Sequence, residues 1–254
     1  MAYTTATLIA TDPLRRLLIV FLLVLLDPAS SWAALTKTFL GSNVTGDATA
    51  VTTFQLTVDS TGQTHIVCFV KHEGAPTTIT ESDNKGSGAF NLLTKVDHLN
   101  GDLSSRLMWV KIGTPGASHT VTVTYGAARP YSRLACWGVN SGTGELALDV
   151  EATAQGNGAT FDAGTLATTA ATVSFQGVGE YTSTIYDPGS GWTEDLDNNI
   201  FAQSRSDASG TLDPVCTIPS GTMDWVTNAA SFKEAAGGGG GGTAKQLMLM
   251  GVGQ

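Results

Sequence analysis

Between residues 35 and 236 the chain never sustains a helical period over eleven residues. Short runs of Val, Ile, Thr and aromatic residues are instead cut at close intervals by Gly, Pro, Asn and Asp. The clearest runs are 64–70 (THIVCFV), 106–112 (RLMWVKI), 119–125 (HTVTVTY), 132–139 (SRLACWGV), 172–177 (TVSFQG) and 224–232 (DWVTNAASF). HTVTVTY alternates apolar and polar residues, as a half-buried antiparallel strand should. Turn chemistry at Gly113-Thr114-Pro115-Gly116, Asp187-Pro188-Gly189 and Ser209-Gly210 separates the runs. The pattern predicts an all-β body, a single antiparallel β-sandwich of jelly-roll type. Its 30 glycines suit many turns, and a chain of this length can bury a substantial core in one domain.

The order of features repeats. Residues 64–139 give a buried run, a Gly/Asp-rich loop (ESDNKGSG), then RLMWVKI, HTVTVTY and SRLACWGV. Residues 171–232 give ATVSFQGVG, a similar loop (YDPGSGW), then IFAQSRS, LDPVCTI and DWVTNAASF. Thr122 to Cys216 is 94 positions and Leu134 to Val226 is 92, so the last two runs keep their spacing. Two pseudo-repeated halves, each giving strands to both sheets of a sandwich, explain this order.

The elements THIVCFV, TITESDNKGSGAFNLLT, SRLMWVKIG, HTVTVTYG, RLACWGV and ALDV, followed by TTAATVSFQGVG, GWTEDLD and DWVTNAASFK, carry a likeness over about residues 36–234. In this order they resemble the jelly-roll-type β-sandwich modules of secreted bacterial proteins and of phage or prophage structural proteins. The resemblance implies structure or interaction and brings no catalytic motif with it.

The ends differ from the body. Arg15 and Arg16 precede the apolar run 17–26 (LLIVFLLVLL), and Ser31-Trp32-Ala33 places small residues at −3 and −1 of a cut after Ala33. Ten apolar residues are too few to span a bilayer. Residues 1–33 therefore read as a secretory signal, 34–236 as the sandwich, and 237–254 as a six-glycine linker with a short apolar tail. No stable transmembrane anchor is expected once the signal is removed. GGGGGGTAK lacks the glycine before Lys245 and the hydroxyl residue after it, so it is no phosphate loop. Asn43-Val44-Thr45 fits an N-glycosylation acceptor.

With 13 basic against 22 acidic residues and no basic cluster, the net charge of −9 disfavours nucleic acid as a partner. Cys68, Cys136 and Cys216 show no metal-ligand spacing, and two of them sit in apolar runs. Buried free thiols are the expected state, with one disulfide the alternative in an oxidising compartment.

No residue set names a reaction. No Ser lies between glycines at −2 and +2, and His72-Glu73 has no second His four positions on. His65, His98 and His119 are scattered as well. Asp149 and Glu151 alternate onto one side of a strand, as a solvated pair would. Two binding sets remain. Tyr181, Tyr186 and Trp192 crowd one loop region (EYTSTIYDPGSGW), where flat aromatic faces would hold a sugar, or would instead cap the core. Asp195, Asp197 and Asn199 offer oxygen ligands at alternate positions for calcium, without the glycine and distal Glu of an EF-hand.

The expectation is a secreted, non-catalytic structural or adhesive module without cofactor, calcium being the metal its spacing allows. Its partner would be a protein, a cell surface or polysaccharide, or a second copy in a homo-oligomer. A carbohydrate-binding module is the alternative and a small secreted hydrolase the third reading; a virion component is the alternative location.

Overall fold

The computed structural model describes residues 35–44, 49–74, 77–142, 144–181, 186–197 and 200–235. The signal expected over 1–33, the tail expected over 237–254 and Asn199 lie outside these residues. In chain order the first half holds β1 (Thr36–Asn43), β2 (Val51–Val58), β3 (His65–Glu73), β4 (Ile79–Asp83), β5 (Asn91–Leu92), β6 (Val96–Asp97), β7 (Leu103–Lys111), β8 (His119–Arg129) and β9 (Arg133–Asn140). The second half holds β10 (Leu146–Gly158), β11 (Thr160–Asp162), β12 (Leu166–Thr168), β13 (Thr172–Glu180), β14 (Thr193–Asp197), β15 (Phe201–Asp207), β16 (Gly210–Leu212), β17 (Val215–Thr217) and β18 (Met223–Glu234). All paired strands are antiparallel. The all-β antiparallel sandwich expected from the runs is the fold that forms.

The halves are arranged alike. The first builds a sheet in the order β1-β9-β3-β7-β5 and the second one in the order β10-β18-β13-β15-β14; each is the other renumbered in chain order. β6 adds to the edge of β7 in the first sheet. A three-stranded sheet, β2-β8-β4, covers the outer face of the first. In the second half the cover is split into β11-β17 and β12-β16, and an isolated bridge from Asp187 to Thr217 stands where a counterpart of β4 would pair. The sequence reading had each half feeding both sheets of one sandwich. In the structure each half supplies one complete central sheet.

The central sheets pack face to face through Val67, Phe69, Leu107, Ala135, Trp137 and Val139 on one side. Val173, Phe175, Ala202, Ala230 and Phe232 meet them from the other. Trp137 lies tilted over Phe175 at 4.9 Å, and Trp109 meets the edge of Phe232 at 5.7 Å. The sheets approach closely because β13 is thin: a Cβ on Gly177 would lie 2.2 Å from the Phe69 ring. A second core, including Leu56, Ile66, Met108, Val121 and Val123, lies under β2-β8-β4. Phe161, Val178, Phe201 and Trp225, with Leu166, Trp192 and Leu212, pack beneath the split cover.

Layering explains which runs alternate. β3 and β9 are buried on both faces and read as continuous apolar stretches, whereas β8, in an outer sheet, alternates buried and open positions. The register of β3 on β9 sets Cys68 directly opposite Cys136, 4.1 Å apart at Cα, and the two form a disulfide inside the core under β2-β8-β4. This corrects the expectation of free thiols at both positions; Cys216 is a buried free thiol.

Candidate functional site

The aromatic set expected to bind sugar does not form a platform. Tyr186 is buried and stacks on Phe201 at 4.8 Å, with Phe161 at 5.3 Å. Trp192 is buried in a different cluster, donates from Nε1 to the Asp213 carbonyl at 3.0 Å and carries the Arg205 guanidinium over its ring. Burying these rings removes more apolar area from water than a loop tip could, so they became anchors of the split cover. Of the three, Tyr181 alone faces solvent.

Of the expected calcium set, Asp195 is placed with its side chain, Asp197 by its backbone in β14, and Asn199 lies outside the described residues. A register shift between Glu194 and Leu196 bulges the edge strand β14 at Asp195. Its carboxylate accepts from Trp137 Nε1 at 2.8 Å and from Ser204, which also accepts from Lys37 Nζ at 2.7 Å. Asp195 is thus a link between the central sheets. Asp197 closes the β14 ladder opposite Phe201. Among the described residues no group of three or more His, Cys, Asp and Glu side chains could hold a metal.

The remaining titratable sets are also placed. A shift between Leu148 and Val150 separates Asp149 from Glu151: Asp149 binds Thr169 and Lys233, whereas Glu151 accepts from Thr94 N and Oγ1 at 3.1 and 2.7 Å. His119 is fully buried with its Nε2 3.0 Å from Asp83. Burial pushes the Asp83 carboxyl up, but hydrogen bonds from Ser87, the Lys85 amide and His119 outweigh it and hold the group below its usual value. Asp83 therefore stands between Ser87 and His119, while nucleophilic catalysis needs the imidazole in the middle. His65 is buried and pushed down to about 4, mainly by desolvation.

One end of the molecule gathers what these sets do not use. Glu73 N donates to the Pro130 carbonyl at 3.2 Å and Gly74 N to the Asp102 carbonyl at 2.8 Å. These bonds tie the end of β3 to the β6–β7 and β8–β9 turns. Under them Lys71 is 1 % exposed and ion-pairs with Glu73 at 2.9 Å. Desolvation lowers its pKa, opposed by the charges of Glu73 and Glu180, while Arg133 adds to the lowering. Gly179 makes room for the lysine stem, since a Cβ there would lie 2.6 Å from Lys71 Cγ. His98 sits between Asp102 at 3.6 Å and Asp224 at 3.7 Å, and Asn157 donates to Asp224 at 2.7 Å.

Two tyrosines stand on this charged base. Tyr131 is 38 % exposed and Tyr181 37 %. Tyr131 holds φ at +46°, a region bulky residues adopt only at a cost of about 1–3 kcal/mol. The Arg133 guanidinium lies 5.9 Å from its ring. Burial, then the hydrogen bond and charge of Asp102, push the Tyr181 phenol far up and keep it neutral. Sequence reasoning missed Tyr131; the signal available was an aromatic in a proline turn between two arginines, Ala128-Arg129-Pro130-Tyr131-Ser132-Arg133. The arrangement offers amphipathic ring faces and phenol hydrogen bonds on a rigid support. No protein-family model, no curated protein and no solved structure matches this chain.

Proposed function

We propose that this chain is a non-catalytic structural or adhesive β-sandwich module, secreted, which works by surface contact through the end bearing Tyr131 and Tyr181. The observation that carries the reading is Tyr131. An exposed aromatic held in a strained backbone region costs stability and lies in none of the packed cores, which favours contact with a partner as its role. The partner class is a surface protein or a polysaccharide. The exposed pair of phenols favours polysaccharide as the second reading, because ring faces with polar tips suit sugars.

The full chain would be screened against immobilised polysaccharides and surface proteins. Saturable binding should fall at least tenfold in Tyr131→Gly and Tyr181→Ala. Tyr131→Gly should at the same time keep or raise the unfolding midpoint, because glycine relieves the positive φ. Binding that survives both substitutions, or no binding to either class, would overturn the proposal.

A further inference from the structure

We propose that Asn100 deamidates spontaneously in the folded chain and that this modification opens the end bearing Tyr131 and Tyr181. Its effect on binding rests on the proposed role of that end; the reaction itself does not. Asn-Gly is the dipeptide in which this chemistry is easiest, because glycine has no side chain to keep its amide nitrogen off the preceding carboxamide. The chain has two, Asn100-Gly101 and Asn157-Gly158. The fold brings both asparagines to one carboxylate. Asn157 Nδ2 donates to Asp224 Oδ1 at 2.7 Å and Asn100 Nδ2 to Asp224 Oδ2 at 3.4 Å.

In the reaction the Gly101 nitrogen attacks Asn100 Cγ. The new N–C bond closes a five-membered succinimide, the Cγ–Nδ2 bond breaks, and Nδ2 leaves as ammonia with the proton that Gly101 gave up. Water then opens either carbonyl of the ring, giving aspartate or isoaspartate. The two sites are held differently. Asn157 stands in register with Asp224 in the β10–β18 ladder, and just beyond it Ala159 accepts from Ile218 N at 3.0 Å, so reaction there needs the ladder to fray. Asn100 is exposed in a turn closed by Gly101 N donating to the His98 carbonyl at 2.7 Å, and only that turn has to open.

A carboxylate at residue 100 would stand within hydrogen-bond reach of Asp224, where like charges repel. Isoaspartate also lengthens the main chain inside the turn. The turn is fastened to its surroundings: Leu99 N donates to Gln155 Oε1 at 2.8 Å, and His98 sits between Asp102 and Asp224. The Asp102 carboxylate in turn holds the Tyr181 phenol, so loss of the turn reaches Tyr181 through Asp102.

The full chain, aged in mildly alkaline buffer and mapped by peptide mass spectrometry, should gain one mass unit at Asn100, with isoaspartate among the products. Asn157 should react at least tenfold more slowly until urea unfolds the chain, when the two rates converge. In the aged protein, amide exchange at Leu99 and Gly101 should quicken at least tenfold, and aged Asn100→Gln should show neither change. No product at Asn100, or equal rates at the two sites in the folded chain, overturns the reaction. Unchanged exchange in the deamidated chain overturns the opening. Binding should be weaker in the aged chain than in aged Asn100→Gln; binding undiminished while exchange is raised would count against the proposed role of this end and leave the modification standing.

Discussion

Substituting Gly177 tests whether the two halves meet where β13 crosses β3. A methyl group at residue 177 would lie 2.2, 2.3 and 2.6 Å from three ring carbons of Phe69, far inside contact distance. Phe69 is fully buried and has little room to give. Gly177→Ala should therefore cost about 1–3 kcal/mol, the range for forcing atoms into a packed core. Phe69→Ala alone should cost about 3–5 kcal/mol through lost burial and the cavity left behind. Combined, the new methyl enters that cavity, and alanine also lowers the entropy of the unfolded chain by about 0.4–1 kcal/mol. Gly177→Ala should then be neutral or stabilising, a coupling of about 1–4 kcal/mol. Urea unfolding of the four proteins gives this number from midpoints and slopes; Phe69→Leu replaces Phe69→Ala if the latter does not fold. A cost for Gly177→Ala that is equal within about 0.5 kcal/mol in both backgrounds would mean that the positions do not touch. The face-to-face packing of the halves would then be wrong.

Opening the Cys68–Cys136 bridge by substituting both residues with alanine should lower stability by about 4 kcal/mol, the entropy of closing a loop 68 residues apart, measured as the shift in urea midpoint. Trp192→Ala should cost about 3–5 kcal/mol and lower the melting temperature, where a ring on a surface platform would cost almost nothing. Stability should also fall on acidification. Desolvation holds His65 and His72 down at about 4 in the folded chain, against about 6.5 when unfolded. The unfolded state thus binds more protons below pH 6.5, and stability drains between about pH 6.5 and 4 by about 1–3 kcal/mol per histidine. His72→Gln should flatten that slope in pH-dependent unfolding curves; an unchanged slope would refute the assignment.

The strands were legible because their period and punctuation are local. The runs at 64–70, 106–112, 119–125, 132–139, 172–177 and 224–232 correspond to β3, β7, β8, β9, β13 and β18. The layering was present in a weaker form: unbroken runs such as HIVCFV mark strands covered on both faces, and HTVTVTY marks an outer one. The spacing of the repeated features matches the shared strand order, but nothing in it says that each half keeps its central sheet to itself. That depends on which faces meet, and the polar interior of the second half obscures it. There Gln176 donates to Thr227 at 3.0 Å and Gln203 donates to Gln176, so buried positions read as exposed ones. The disulfide needed the register of β3 on β9. Tyr186 and Trp192 sit in a sequence that suits either a surface or a lid; the side they take is decided by Phe161, Phe201 and Leu212, far along the chain.

The pairing of first strand with last in each half bears on how the chain is made. Thr36 pairs with Asn140 and Leu146 with Glu234, so neither sheet can close until its final strand has emerged. Contacts so distant in sequence form slowly. Once the first half is complete, its inner face, with Phe69 and Trp137, has no partner until roughly 90 more residues are synthesised, on the order of 5–20 s at translation rates of about 5–20 residues per second. For that interval the nascent chain presents a wide apolar sheet to its surroundings, and a chaperone that shields it then should decide yield more than any change to the finished fold.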